Sequence, residues 1–299
     1  IVLDNLQQGH KEAMPPGAQF VSADICDSQA LEEVFQNFKI DAVMHMAAET
    51  VIEYSITDPK RYFHNNIMGG ITLLDTMLDH RVDKLIFSSS AAVYGEPQSI
   101  PIEEEHPKNP INAYGESKLM FERIVEWYGK AYGLKHISLR YFNAAGATRL
   151  LGEDHSPETH LIPNVLKAAL DENSPIAIFG ADYPTKDGSC VRDYVHVVDI
   201  AQAHILALGK VEKLSGGAYN LGNGEGYSVI EVIEAARKIT GSKIPAKVSP
   251  RRPGDPAVLV ASSTRAKSEL GWKPKFPKLE AIIESAWKWM RRYPTGYEG

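Results

Sequence analysis

Short apolar runs alternate with helical stripes through the first half of the chain. Ile1-Val2-Leu3 is a β-branched run that ends in an acid, Asp4. Ala30, Leu31, Val34, Phe35 and Phe38 recur at helical spacing and predict one buried helix face. Ala42-Val43-Met44-His45-Met46 predicts a buried strand. Asp58-Pro59 joins an N-cap acid to a proline at the first helical position, which predicts a helix start. The stripe that follows, Tyr62, Phe63, Ile67, Ile71, Leu74 and Leu78, is expected to face a core. Lys84-Leu85-Ile86-Phe87-Ser88 predicts the next strand. A helix from Ala113 to Tyr132 is expected to stop at Gly133, and His136 to Tyr141 predicts a further strand.

Alternating strands and helices with short connections imply an α/β fold, a doubly wound parallel sheet of Rossmann-like type. Beyond residue 143 proline and glycine become denser and the element signals shorten. We therefore expect a dinucleotide-binding domain over 1–143 and a second, smaller α/β substrate domain over 144–299. The segment 191–212 is expected to return to the first. Ligands in such sheets lie at the carboxyl ends of strands. That directs attention to Asp4, Asp24, Ala47-Ala48, Ser88-Ser89-Ser90 and Phe142-Asn143.

Composition removes several alternatives. Two cysteines exclude a disulfide scaffold, and a net charge of -6 argues against a nucleic-acid partner. No apolar run reaches the ~20 residues of a membrane helix, and no signal peptide is visible, so the expected location is cytoplasmic. The ten histidines show no paired ligand spacing, so no metal is expected, and Glu153-Asp154-His155 reads as a solvated polar loop. No Gly-x-Ser-x-Gly elbow points to a serine hydrolase.

Asp4 fits the acid that ends the second strand of a dinucleotide-binding fold and holds the adenosine ribose. It fits equally an ordinary strand-end acid. The glycine fingerprint belongs about 20 residues earlier, where this sequence has no room for it. The chain thus reads as lacking a first strand, phosphate loop and first helix. The cluster Gly222-Asn223-Gly224-Glu225-Gly226 has the wrong spacing to replace them.

Tyr114 and Lys118 stand four apart, on one face of the predicted helix. A neighbouring ammonium stabilises a phenolate and makes tyrosine a usable base near neutrality. A serine at the end of the preceding strand, Ser90, can hold a substrate hydroxyl against it. The spacing alone also suits a solvated lysine beside a packed tyrosine, and the serines also suit strand-end turn chemistry.

Six ordered blocks extend the pattern over nearly the whole chain. They are His45-Met46-Ala47-Ala48, Phe87 to Gly95, Tyr114-Gly-Glu-Ser-Lys118, Arg140-Tyr-Phe-Asn143, Val191 to His196, and Arg251-Arg252-Pro-Gly-Asp255. Together they resemble the UDP-glucose 4-epimerases, in the extended nucleotide-sugar branch of the short-chain dehydrogenase/reductase superfamily. The resemblance implies Tyr114 as base and acid, Lys118 as its tuning cation and ribose ligand, and Ser90 on the sugar 4-oxygen. It implies NAD as cofactor, held by Asp4, Asn5, Asp24, Ile25, Met46, Ala47, Ala48, Asn65 and Tyr141 as well as Tyr114 and Lys118. It implies a UDP-sugar substrate held by Asn143, His160, Leu161, Arg192, Arg252 and Asp255, beside Ser90 and Tyr114. It also implies a homodimer built from the helices around Tyr62–Leu78 and Ala113–Tyr132.

Relatives on this scaffold that dehydrate sugars carry an Asp-Glu pair just after the strand-end serine or threonine. Here that place is Ala91-Ala92, which can transfer no proton. The implied reaction is therefore 4-epimerisation between UDP-galactose and UDP-glucose through a 4-keto sugar, as in galactose metabolism. The alternatives are 4-epimerisation of UDP-N-acetylglucosamine or another UDP-sugar, and a dinucleotide-binding homologue without catalysis. Leu259 stands where strict members carry tyrosine, which implies room for an N-acetyl group.

Overall fold

The computed structural model describes residues 1–171, 174–252 and 254–297. Pro253, within the expected Arg251–Asp255 block, lies outside the described residues. In chain order the first elements are β1 (Val2–Asp4), β2 (Phe20–Ser22), α1 (Ser28–Asn37), β3 (Val43–His45), α2 (Ile52–Thr57) and α3 (Pro59–Phe63). A wide π turn over His64–Gly69 leads into α4 (Gly70–Asp79), then β4 (Lys84–Ser90), α5 (Ala113–Tyr132), β5 (Lys135–Tyr141) and β6 (Asn143–Ala145). Next come α6 (Leu161–Leu170), β7 (Ile176–Phe179), β8 (Val191–Arg192), β9 (Tyr194–His196) and α7 (Val197–Leu214). The chain continues with β10 (Gly217–Leu221), β11 (Tyr227–Ser228), α8 (Val229–Thr240), β12 (Ala246–Ser249), β13 (Val258–Leu259) and α9 (Leu279–Arg292).

The chain forms two compact units. The first comprises Ile1–Glu96, Pro107–Arg140 and Ala203–Tyr219. The second comprises Pro97–His106, Tyr141–Gln202 and Asn220–Gly299, and is about as long as the first.

In the first unit, strands run in the order β10-β5-β4-β3, and β1 pairs with β2 in a separate parallel pair. β3 and β4 are parallel, with His45 in register with Phe87. Leu31, Val34 and Phe35 of α1, Leu73, Leu74 and Met77 of α4, and Phe121 and Val125 of α5 share one apolar core with Leu85 and Phe87 of β4. Asp27 caps α1 by accepting from the Gln29 and Ala30 amides. Asn112 caps α5 through the Gly115 amide, and Gly133 ends it at a positive φ of 77°.

Two expectations for this unit need correcting. The strand predicted over Ala42–Met46 is only Val43–His45, and Met44 and Met46 are exposed. Among the described residues β3 ends the strand order, with β4 as its paired neighbour. The stripe beyond Tyr62 also shifts. Leu78 is exposed, and the buried face runs through Asn66, Ile67, Gly69, Gly70, Leu73, Leu74 and Met77. Its centre is glycine because neighbours press close. A Cβ on Gly70 would lie 2.3 Å from the Phe121 ring, and one on Gly69 2.8 Å from Ile25.

The second unit uses short pairs: β11-β8-β13, β12-β7 and β6-β9. Its core lies among α6, α8 and α9, with Val165, Leu166, Val232, Ala236, Ile282 and Ile283 buried. α8 starts with a complete capping box, Ser228 with Glu231. The glycine cluster near residue 224 has its own role here. It wraps the buried Asp193 carboxylate, which accepts from the Asn223, Gly224 and Ala261 amides at 2.8, 3.0 and 3.1 Å.

Candidate active site

α5 places Tyr114 and Lys118 one turn apart on the same face, and the Lys118 ammonium sits 5.9 Å from the Tyr114 ring centre. Lys118 is 4 % exposed and donates to the Ser88 carbonyl at 2.8 Å, with the Phe87 ring 5.0 Å away. Burial pushes its pKa down to about 7, against the pull of Glu122. Ser90 ends β4, two residues beyond that carbonyl, and its hydroxyl accepts from the Ala92 amide at 3.2 Å. The turn that follows, Ala91–Val93, brings the Ala92 carbonyl so near α5 that a Cβ on Gly115 would lie 2.4 Å from it. Glycine at 115 is thus what lets the tyrosine-bearing turn settle against the serine-bearing strand end.

The pair is braced by Glu122 and Asn66, which sequence reasoning did not single out, together with Ser89, Tyr94, Ser117 and Arg140 from the blocks it did. Arg140 on β5 holds Glu122 through Nε and Nη2 at 2.8 and 2.6 Å, and Nη1 donates to the Tyr94 hydroxyl at 3.0 Å. Ser89 donates to the same Glu122 carboxylate at 2.6 Å. Asn66 in the π turn donates to Ser117 Oγ at 2.9 Å, and Ser117 donates to the Tyr114 carbonyl at 2.7 Å. One signal was available: Glu122 continues the four-residue spacing of Tyr114 and Lys118.

At the ends of β1 and β2 the expected dinucleotide residues meet. Asp4 accepts from the Leu6 amide at 2.7 Å. Asn5 donates to Asp24 at 2.9 Å, and Asp24 accepts from the Cys26 amide at 2.8 Å. The Cys26 amide is the main cause holding the Asp24 pKa below its ordinary value. A Cβ on Gly9 would fall 2.8 Å from the Asp4 carboxylate, so glycine keeps that acid accessible. Ile25 is buried, Met46 and Ala47 are exposed, and Ala48 is half-buried. Asn65 donates to Asn66 at 2.9 Å from the π turn. Tyr141 ends β5 and belongs to the second unit.

The residues expected to grip UDP all lie in the second unit. Asn143 opens β6 in register with Tyr194 of β9. Arg192 donates to the Pro256 carbonyl at 2.8 Å and lies 3.3 Å from Asp255, so these segments do converge. Leu259 pairs in register with Arg192. Arg252 sits 4.0 Å over the Phe179 ring. His160 occupies the N-cap position of α6 without a capping side-chain hydrogen bond, and Leu161 is the first helical residue. Burial opposes the His160 charge, but Glu153 and Glu158 outweigh it and push the pKa up to about 10.

The arrangement finds close parallels among known proteins. Residues 1–222 match the model of the NAD dependent epimerase/dehydratase family. The UDP-glucose 4-epimerase of Halalkalibacterium halodurans is 52 % identical over 300 residues, covering 99 % of this chain and 90 % of that protein. A crystal structure of UDP-glucose 4-epimerase superposes with a TM-score of 0.96 at 49 % identity, covering 99 % of this chain and 91 % of that one. The Bifidobacterium longum UDP-glucose 4-epimerase in complex with NAD+ and UDP gives a TM-score of 0.93 at 38 % identity, covering 98 % and 91 %. The strand-end serine, the Tyr-Lys face of α5 and the paired acids at β1 and β2 thus sit in a familiar frame, and the chain belongs to the NAD dependent epimerase/dehydratase family.

Proposed function

We propose that this chain interconverts UDP-galactose and UDP-glucose by NAD-dependent 4-epimerisation through a 4-keto sugar. The observation that carries the reading is the Tyr114–Lys118 face of α5, seated against a strand end whose next residues, Ala91 and Ala92, carry no proton-transfer group. Its relatives named UDP-glucose 4-epimerase, at about half identity over the whole chain, support the same reaction.

The residues present fit the cofactor. Asp4, Asn5 and Asp24 offer acceptors and an amide at adjoining strand ends, and Gly9 leaves the Asp4 carboxylate uncovered. They would hold the adenosine end, and Lys118 the nicotinamide ribose. When bound, NAD supplies a reversible hydride acceptor, so one cofactor serves each turnover without net consumption. Tyr114 Oη takes the proton from the sugar 4-hydroxyl and returns it to the same oxygen once the keto sugar has turned over. The Lys118 ammonium stabilises the phenolate between those steps. Ser90 Oγ orients the 4-oxygen. Arg192 and Arg252 hold the diphosphate, with Asn143, Asp255 and the His160–Leu161 turn completing the nucleotide site. We take the first unit as the dinucleotide-binding part, the second as the UDP-sugar-binding part, and the working form as a homodimer.

The test is conversion of UDP-galactose to UDP-glucose with NAD supplied, quantified by chromatography. The parent chain should convert it, and Tyr114→Phe should lose about 10²–10⁴-fold in turnover while still binding UDP-glucose by calorimetry. Near-parental turnover in that variant overturns the assignment of Tyr114. Parental turnover of UDP-N-acetylgalactosamine alone would move the substrate, and turnover of neither sugar would leave a binding-only homologue.

A further inference from the structure

The loop before α6 is expected, from sequence, to be solvated, yet it folds back on itself. Glu158 is nearly buried, with a side chain 3 % exposed, and Glu153 is 18 % exposed. Around them stand His155 and His160, so that four potential ligand atoms lie within 4.8 Å of one another. His160 Nδ1 is 2.6 Å from Glu153 Oε1 and 3.0 Å from Glu158 Oε1. His155 Nδ1 is 3.3 Å from Glu153 Oε1 and 3.7 Å from Glu158 Oε2. The His160 amide also donates to Glu158 Oε1 at 2.8 Å, which fixes that carboxylate in place.

From this geometry we propose that Glu153, His155, Glu158 and His160 form a structural site for a divalent transition-metal ion of the zinc class. A tetrahedral ion bound to nitrogen and oxygen at about 2.0–2.2 Å sets its ligands about 3.3–3.6 Å apart. With one ligand atom from each residue, Glu153 Oε1 lies 3.3 and 2.6 Å from the two imidazole nitrogens, Glu158 reaches His160 at 3.0 Å through Oε1 or His155 at 3.7 Å through Oε2, and all four atoms fall within 4.8 Å, so a small contraction or spreading of the cluster reaches that edge length. His155 Nδ1 adds a second observation. It is shut off from solvent, yet it makes no aligned hydrogen bond to either carboxylate beside it. A nitrogen close to two acids and aligned with neither suits a ligand of a point between them. The donor set agrees in charge as well, since two carboxylates and two neutral imidazoles balance a dication. Borderline-soft ions that accept both imidazole and carboxylate fit this set, whereas calcium and magnesium favour oxygen alone.

Four protein ligands make a closed site, which is a structural rather than a catalytic arrangement. The ion would pin the segment 153–160 to the start of α6, where His160 is the N-cap residue. Binding replaces the protons that otherwise neutralise the two acids, so uptake releases protons from the imidazoles. His160 also belongs to the proposed nucleotide site, so the test reads metal binding itself rather than turnover.

The test uses the 299-residue chain after chelator dialysis, titrated with Co²⁺ alone and then challenged with Zn²⁺. One Co²⁺ per chain should bind with the visible absorption of a tetrahedral complex, and Zn²⁺ should displace it. His155→Ala should weaken binding by at least about 100-fold, the upper end of what removing even an outer-shell partner costs. Glu153→Gln keeps the side-chain shape and should weaken it similarly if His155→Ala fails to fold by circular dichroism. Absence of the tetrahedral spectrum, or affinity unchanged in both folded variants, overturns the site.

Discussion

Lys118 shows how much chemistry one side chain can carry when the fold removes its water. Its ammonium is buried against the Ser88 carbonyl, and its pKa falls from 10.5 to about 7 because burial outweighs the attraction of Glu122. Between those two values the unfolded chain binds the proton more readily than the folded one. Stability from this group is therefore full above the unfolded value and is lost as pH falls through about 7. The slope approaches about 1.4 kcal/mol per pH unit inside the window. Lys118→Met removes the titration. The stability difference, parent minus variant, should therefore rise as the pH goes from 7 towards 10, as read by urea melts of both chains in the absence of dinucleotide. A difference that stays flat would show that the lysine keeps its charge throughout. The sequence made the Tyr114–Lys118 spacing visible, but not the buried Glu122–Arg140–Tyr94 network that surrounds it. Partners from β5 and from the turn after β4 meet only through the fold.

At the scale of elements, legibility follows how far an element's signals are local. The helix predicted from Ala113 to Tyr132 is found at those bounds, because Asn112 and Gly133 cap it within its own segment. The helix after Asp58 starts where the proline puts it, but its buried face runs through Asn66, Gly69 and Gly70. A hydrophobic count passes over such a face, because its reason lies in Phe121, Ile25 and Cys26 on other elements. Residues 153–155, read as a solvated loop, are half-buried for the same reason, since Glu158 and His160 close round them from further along the chain. Close approach also yields a paired test. A Cβ on Gly115 meets the Ala92 backbone, whereas Gly209 in α7 has nothing within 4 Å. Gly115→Ala should cost about 1–3 kcal/mol by overpacking and lower turnover by shifting Tyr114. Gly209→Ala should instead gain about 0.5–1 kcal/mol from helix propensity. Chemical melts of the two variants check both signs, and a neutral Gly115→Ala would show that the α5 start yields freely.

For the molecule as a whole, the surface of the first unit carries the last argument. Trp127 and Tyr132 on α5 are 67 % and 59 % exposed, and Met68 in the π turn before α4 is 56 % exposed. Large apolar side chains are ordinary when scattered, but here they occur on α5 and on the turn into α4, and Tyr128 of α5 donates to Asp75 of α4 at 2.5 Å. That hydrogen bond ties the outer side of α5 to α4. The core does not explain these residues, since Leu73, Leu74, Met77, Phe121 and Val125 already fill the inward faces of both helices. The proposed homodimer gives them a purpose, through a self-complementary contact in which each copy presents the same two helices. Light scattering should then give twice the 33.0 kDa chain mass at micromolar concentration. Met68→Glu or Trp127→Glu places a charge, and by symmetry two like charges, in that contact, and should lower the mass to one chain while leaving the far-ultraviolet circular dichroism unchanged. A parent chain that scatters as a monomer removes the proposal. A dimer that survives both substitutions moves the contact to another face.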